Sequence, residues 1–320
     1  MIPRMGADKN GTSAKTKAAA KAEVLEVELS KAQEKAAKKT ASAPSRLADR
    51  LAVGPGFRLA DVDPDSSPGF SGKKADGEAS LAAARDELGM LQERLWAESR
   101  GGGTRSVLLV VQGMDTSGKG GIMRHVVGSC DPQGIRHTAF KAPTPEERAH
   151  DFLWRIRKAL PLPGEIGVFD RSHYEDVLVV RVHNLVPKAQ WSRRYATINR
   201  FEEQVSAAGT KIVKVMLHIS QDEQKVRLTE RLSRADKYWK YNPHDVDERA
   251  KWADYMEAYQ VALERCSTGP APWHVVPADK KWYARWAVQQ LLVDALAELN
   301  PQWPPASFDV KAEQARLAAT

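Results

Sequence analysis

The sequence predicts an α/β fold, a parallel sheet covered by helices on both faces. Three observations carry this. Short β-branched runs at 106–112, 212–219 and 273–277 are separated by long helical patterns. A glycine-rich turn follows the first of those runs directly, and a helical pattern follows the turn. A chain of 320 residues, 42% hydrophobic and 28% charged, can bury one large α/β core.

The elements are expected in this order. A helix at 79–99 places Leu81, Leu88, Leu91 and Leu95 on one stripe, and Gly101, Gly102 and Gly103 end it. A buried strand at 106–112 leads through the glycine turn into a helix at 118–128. Further strands fall at 167–169, 212–219 and 273–277, with helices at 145–159, 188–208, 222–234, 246–265 and 281–299. Residues 1–44 form an Ala/Lys-rich tail without aromatics, expected to be disordered. The core domain is expected over 45–310, with 45–78 draped irregularly over it, and a short C-terminal tail over 311–320.

Composition excludes several classes. No apolar run is long enough to span a bilayer, and the N-terminus lacks a secretory pattern. Cys130 and Cys266 have no metal-ligand spacing, which favours reduced thiols and a cytoplasmic protein. The net charge is +7, of which residues 1–40 supply +4 (nine Lys and Arg against five Asp and Glu). That excess is small for a nucleic-acid arm, but it suits anionic substrates.

The chemistry concentrates in Gly113-Met-Asp-Thr-Ser-Gly-Lys-Gly120, which fits G-x-x-x-x-G-K between a strand and a helix. Glycines let backbone N–H groups curl around phosphate oxygens, and Lys119 adds a full charge. The hydroxyl residue that usually follows the lysine and ligates Mg²⁺ is replaced by Gly120. Asp115 is then either a metal ligand or an Asx-turn residue that shapes the loop. A second acid, Asp170, ends the apolar run Ile166-Gly-Val-Phe169, in the position where a carboxylate holds Mg²⁺ in phosphotransferases. Arg171 beside it is placed to neutralise transferred phosphate. His173 is more readily a hydrogen-bonding residue than a base. Arg227, Arg231 and Arg234 share one helical face, followed by Lys237 and Lys240. This pattern fits either a phosphate-closing lid at 222–245 or a solvated charged face. Asp245 is expected to start the next helix, with Glu248 completing a capping box. The pattern does not name the phosphoryl donor, and an ATP-using kinase would fit it. An extended donor would need a basic channel, for which Arg124, Arg136, Lys141, Arg155 and Arg181 are candidates.

Several segments together resemble the polyphosphate kinase 2 family. They are the glycine loop extended to Gly121, Asp131-Pro-Gln-Gly134, Phe140-Lys-Ala-Pro-Thr144, Phe152-Leu-Trp-Arg155, Asp170-Arg-Ser-His-Tyr-Glu-Asp176, Asp236-Lys-Tyr-Trp-Lys-Tyr-Asn-Pro243 and 271–283. The resemblance covers about residues 46–305 and leans to the branch using AMP as well as ADP. It implies a P-loop kinase-like fold with a helical lid, and phosphoryl transfer between inorganic polyphosphate and nucleotides. It implies Mg²⁺, with Mn²⁺ able to stand in, and a homo-oligomer, dimer or tetramer. Residue by residue it implies catalytic roles for Asp115, Lys119, Asp170 and Arg171, with metal on Asp115 and Asp170. Phosphate binding would fall to Gly113, Thr116, Ser117, Gly118, Gly120, Gly121, Arg124, Lys141, Arg231, Arg234 and Lys237. The acceptor nucleotide would meet Tyr174 and Glu175.

Overall fold

The structure, a computed structural model, describes residues 46–320; the expected tail at 1–44 lies outside the described residues. Five parallel strands form one sheet in the order β2-β3-β1-β4-β5. They are β1 (Ser106–Gly113), β2 (Ile135–Ala139), β3 (Ile166–Asp170), β4 (Thr210–His218) and β5 (Trp273–Pro277). The register runs Val111↔Asp170 between β1 and β3, and Gly113↔Leu217 between β1 and β4. The glycine loop and the β3 acid therefore emerge side by side at the C-terminal edge of the sheet, where ligands of open α/β sheets bind.

The helices are α1 (Leu47–Leu51), α2 (Lys74–Arg100), α3 (Lys119–His125), α4 (Pro145–Arg148), α5 (Trp154–Ala159) and α6 (Val179–Val182). They continue as α7 (Lys188–Ala207), α8 (Gln221–Ser233), α9 (His244–Ala250), α10 (Trp252–Cys266), α11 (Lys281–Leu299) and α12 (Val310–Ala318). Side chains alternate across β1. Val107, Leu109 and Val111 pack with α2, α3 and α11 on one face. Leu108 and Val110 pack with α5, α7 and α10 on the other. All eight residues of β1 are buried, as a central strand covered on both faces must be.

Lys214 of β4 carries a charge into this core. It is fully buried, 2.5 Å from Glu202 of α7, and also donates to the Tyr174 hydroxyl and the Cys266 carbonyl. His173 Nε2 bonds Glu202 as well, at 3.1 Å. Burial opposes the Glu202 carboxylate, but Lys214 and His173 hold its pKa below the usual range.

The observed elements depart from the expected ones at identifiable points. Strand β2, Ile-Arg-His-Thr-Ala, was not expected, because an edge strand of mixed polarity has no apolar run. The helix expected over 145–159 is two, because Asp151 Oδ1 accepts from the Leu153 N–H in a local turn. The helix expected over 246–265 breaks at Lys251. Helix α2 begins at Lys74 rather than 79, and residues 310–318 are helical, with Asp309 capping them through the Lys311 and Ala312 N–H groups.

Candidate active site

The glycine loop leaves β1 at Gly113, whose φ of 150° and whose contact with the Leu217 carbonyl leave no room for a side chain. Thr116 sits at φ 64° and Gly118 at φ 116°. A non-glycine residue in the left-handed region costs on the order of 1 kcal/mol, so something must hold Thr116 there. Two side chains of α8 do so. Gln224 Nε2 donates to the Asp115 carbonyl at 3.1 Å, and Arg227 Nη1 donates to the Thr116 carbonyl at 2.9 Å. Arg227 also donates to the Ala278 and Asp279 carbonyls and pairs with Glu223. It is therefore a buried brace of the loop and not, as its spacing with Arg231 and Arg234 implied, part of a mobile lid face.

The loop lines a cavity of about 430 Å³ together with Asp170, Arg124, Arg231, Lys237, Lys240, Lys281 and Arg285. Lys119 Nζ folds onto the Gly113 and Met114 carbonyls at 2.7 and 3.2 Å. Burial holds its ammonium below the usual lysine pKa, against the pull of Asp115. Thr116 Oγ1 and Ser117 Oγ are buried inside the loop without a hydrogen-bond partner. Gly120 faces open space and Gly121 lies against Arg285.

Arg171 follows the end of β3 at φ 63°, its N–H bonded to the Val111 carbonyl. Its guanidinium reaches Asp115 Oδ1 at 2.9 Å and Glu175 Oε2 at 3.7 Å. Burial would lower its pKa, but Glu175 and Asp115 raise it above the ordinary arginine range. Gln112 Nε2 anchors Glu175 at 3.1 Å. The Asp170 carboxylate takes no hydrogen bond or ion pair among the described residues. No third His, Cys, Asp or Glu joins an acid of this site into a metal-holding cluster among the described residues. Asp115 and Asp170 are nonetheless hard oxygen donors on the wall of one cavity, which fits a cation that keeps water and phosphate as its other ligands.

Several expected positions fall elsewhere. Tyr174 is not on the cavity: it is fully buried, donating to Glu202 at 2.8 Å and packed on Trp273. Its pKa is pushed well up by burial and the Glu202 charge. His173 is buried with it, beside Glu202. Arg234 lies past the end of α8, exposed, and pairs with Asp236 and Glu230 rather than lining the cavity. Lys141 is exposed and outside the cavity wall. Of the expected channel cations only Arg124 reaches the cavity. Arg136 pairs with Glu165 at the opposite end of the sheet, Arg155 with Glu147, and Arg181 with Glu257. Composition marks cations but not which of them have carboxylate neighbours.

Other residues reach the site, or leave it, without a signal in the sequence. Asp245 does not cap α9, which starts at His244; it bonds Arg231 Nη1 at 3.3 Å. It lies close enough to Asp115 that burial and that charge raise its pKa. Glu248 bonds His183 and the Tyr255 hydroxyl instead of forming a capping box. Lys281 and Arg285 line the cavity from α11; Lys281 falls in the 271–283 segment but nothing in its spacing gave it a role, and Arg285 falls outside every motif.

Comparison with known proteins agrees with this geometry. The family model "Polyphosphate kinase 2 (PPK2)" matches residues 71–304. The chain is 46% identical over 248 residues, 78% of its length and 91% of the relative's, to an AMP/ADP-polyphosphate phosphotransferase of Meiothermus ruber. It is 42% identical over 231 residues, 68% of its length and 78% of the relative's, to an ADP-polyphosphate phosphotransferase of Rhodopseudomonas palustris. A crystal structure of polyphosphate kinase 2 from Arthrobacter aurescens superposes with a TM-score of 0.85 at 59% identity, covering 86% of this chain and 98% of that one. The chain belongs to the polyphosphate kinase 2 family.

Proposed function

We propose that this protein transfers phosphoryl groups between inorganic polyphosphate and nucleoside mono- or diphosphates, AMP and ADP or their guanine counterparts, with Mg²⁺ or Mn²⁺. The observation that carries the reading is the cavity itself. Lys119, Arg124, Arg231, Lys237, Lys240, Lys281 and Arg285 meet only Asp115, Asp170 and Glu230 as acids on its wall, although Arg231 and Lys237 also pair with Asp245 and Asp236. Such an excess suits a line of phosphates. Few apolar groups are present to hold the base of an ATP donor, so the ordinary ATP-dependent kinase is the weaker reading.

The residues divide the work as follows. Backbone N–H groups of the loop and Lys119 hold the phosphates that flank the bond to be broken. Asp115 and Asp170 would hold a divalent cation, which would supply neutralising charge to the phosphates. Arg171, held by Asp115 and Glu175 in a small pocket that shares Asp115 with the phosphate cavity, would reach the oxygens of the group in transfer. An ionised phosphate acceptor needs no strong general base. The burial of His173 beside Glu202 agrees with that. Arg231, Lys237 and Lys240 sit on the segment that would close over the donor and exclude water. Arg234 and Lys141 would meet phosphate only if that segment and the β2 end move. Glu175 is the acceptor-side residue, whereas Tyr174 supports it from the core.

We place the enzyme in the cytoplasm as a homo-oligomer, dimer or tetramer, without nucleic-acid or membrane partners. No helix among the described residues is long and apolar enough to cross a membrane. The reading is tested by mixing polyphosphate, Mg²⁺ and ADP or AMP without ATP and separating the nucleotides. ATP from ADP, and ADP from AMP, are expected. Products formed only when ATP is the donor would replace this reading with the ordinary kinase.

A further inference from the structure

Several cations of the site have found a carboxylate. Arg231 has Asp245, Lys281 has Glu230 and Lys237 has Asp236. Three arginines have not. Arg85 of α2, Arg124 of α3 and Arg285 of α11 make no ion pair or hydrogen bond among the described residues. They are also neighbours. Arg124 and His125 line both the 430 Å³ phosphate cavity and a second groove of about 580 Å³ between α2 and α3, where Arg85 stands. Arg285 lies against Gly121 in the first turn of α3. Burial and then the charges of Arg285, Arg124 and Arg85 hold the His125 imidazole below its usual pKa. Burial, with Arg124 and Arg227, does the same to Arg285 against the pull of Glu78. Like charges gathered without partners repel one another, and an anion among them would offset that repulsion. Asp86 and Glu93 also line the outer groove, so its field is weaker than that of the inner cavity.

We infer that the polyanion leaves the phosphate cavity over Arg285, Arg124 and His125, and that its distal phosphates are held by Arg85 in the groove between α2 and α3. This rests on the polyphosphate reading above and adds a second subsite to it. The route runs beside α3, which rises about 7.5 Å from Lys119 to Arg124, and Arg85 is met only by phosphates past Arg124, so a longer donor has more of them to place there. The subsite therefore confers a preference for chain length rather than a step of the chemistry. Contacts there are exposed and screened by salt.

The test compares tetrapolyphosphate with long-chain polyphosphate as donors for ADP at low salt, in wild type, Arg85→Glu and Arg85→Lys. Arg85 is exposed and unpaired, so thermal melting of the three should coincide. In Arg85→Glu the advantage of the long donor in KM is expected to shrink about fivefold. Arg85→Lys should keep most of it, and added salt should erase the difference between the variants. An unchanged long-to-short ratio in Arg85→Glu overturns the distal subsite while leaving the polyphosphate reading intact. Failure of the wild type to use either polyphosphate overturns both.

Discussion

Arg171 Nη2 lies 2.9 Å from Asp115 Oδ1, so the arginine expected to face the transferred phosphate is held by the acid expected to face the metal. The two roles compete for one carboxylate. A divalent cation held by Asp115 would weaken that carboxylate's hold on Arg171 and leave Glu175, 3.7 Å away, as its remaining partner.

Asp115→Asn should therefore do two things. The Mg²⁺ concentration for half-maximal rate should rise, and the maximal rate should fall by roughly 10²-fold, an oxyanion-type contact being worth about 3 kcal/mol. Steady-state titration with Mg²⁺ measures both. An unchanged metal dependence would leave Asp115 as a shaper of the loop only.

Lys119 should set an alkaline limit. Burial lowers its pKa from the usual 10.5. In the free enzyme the charged form is disfavoured, so donor affinity is full below that lowered value and is lost as pH rises through it. Bound phosphate favours the charged form and moves the limb upward. The alkaline limb of kcat/KM should thus lie below pH 10.5 and below the limb of kcat. Lys119→Ala should lower turnover by roughly 10²–10³ and abolish the difference between the limbs. Coincident limbs in the wild type would exclude this role for Lys119.

The core makes a separate claim. Lys214→Met should destabilise by about 3–5 kcal/mol, because it strands the Glu202 carboxylate in the sheet's apolar layer. Lys214→Met with Glu202→Leu should regain much of that loss, since no charge is then left unpaired. Glu202 is held below its unfolded pKa, so the stability it brings is present at neutral pH and is lost as pH falls through that lowered value. Denaturant unfolding of both variants measures this, and a single variant as stable as wild type would refute it.

A tight helix contact gives a fourth outcome. A Cβ at Gly77 of α2 would collide with the Trp282 ring of α11. Gly77→Ala should lower the melting temperature through overpacking of about 1–3 kcal/mol, despite the better helix propensity of alanine. A raised melting temperature would show that the two helices separate freely.

The sequence made the architecture legible where a local pattern carried it. The buried run 107–111 and the glycine spacing after it identify β1 and the loop, and Asp170 with Arg171 falls beside them because β1 and β3 pair in parallel. Polarity hid β2, whose backbone pairing with β3 owes little to its side chains. Tyr174 misled because its neighbours Arg171 and Glu175 face the site, while a 3-10 turn directs Tyr174 into the core. Arg227 and Arg234 misled for a related reason: helical spacing gives a face, but only packing tells that one arginine is buried under the loop and the other lies beyond the helix end. Asp245 and Arg285 come from segments far from the loop in sequence, and only the tertiary fold brings them to it.

Polyphosphate itself gives up the phosphoryl group, and this donor role is tested most directly with polyphosphate labelled with ³²P, unlabelled AMP and Mg²⁺, and no other nucleotide. The label is predicted in the β-phosphate of ADP within the first turnovers, and in the γ-phosphate of ATP when ADP is the acceptor. Label that stays in polyphosphate or appears only as inorganic phosphate, while γ-labelled ATP passes its label to an acceptor, would contradict the account.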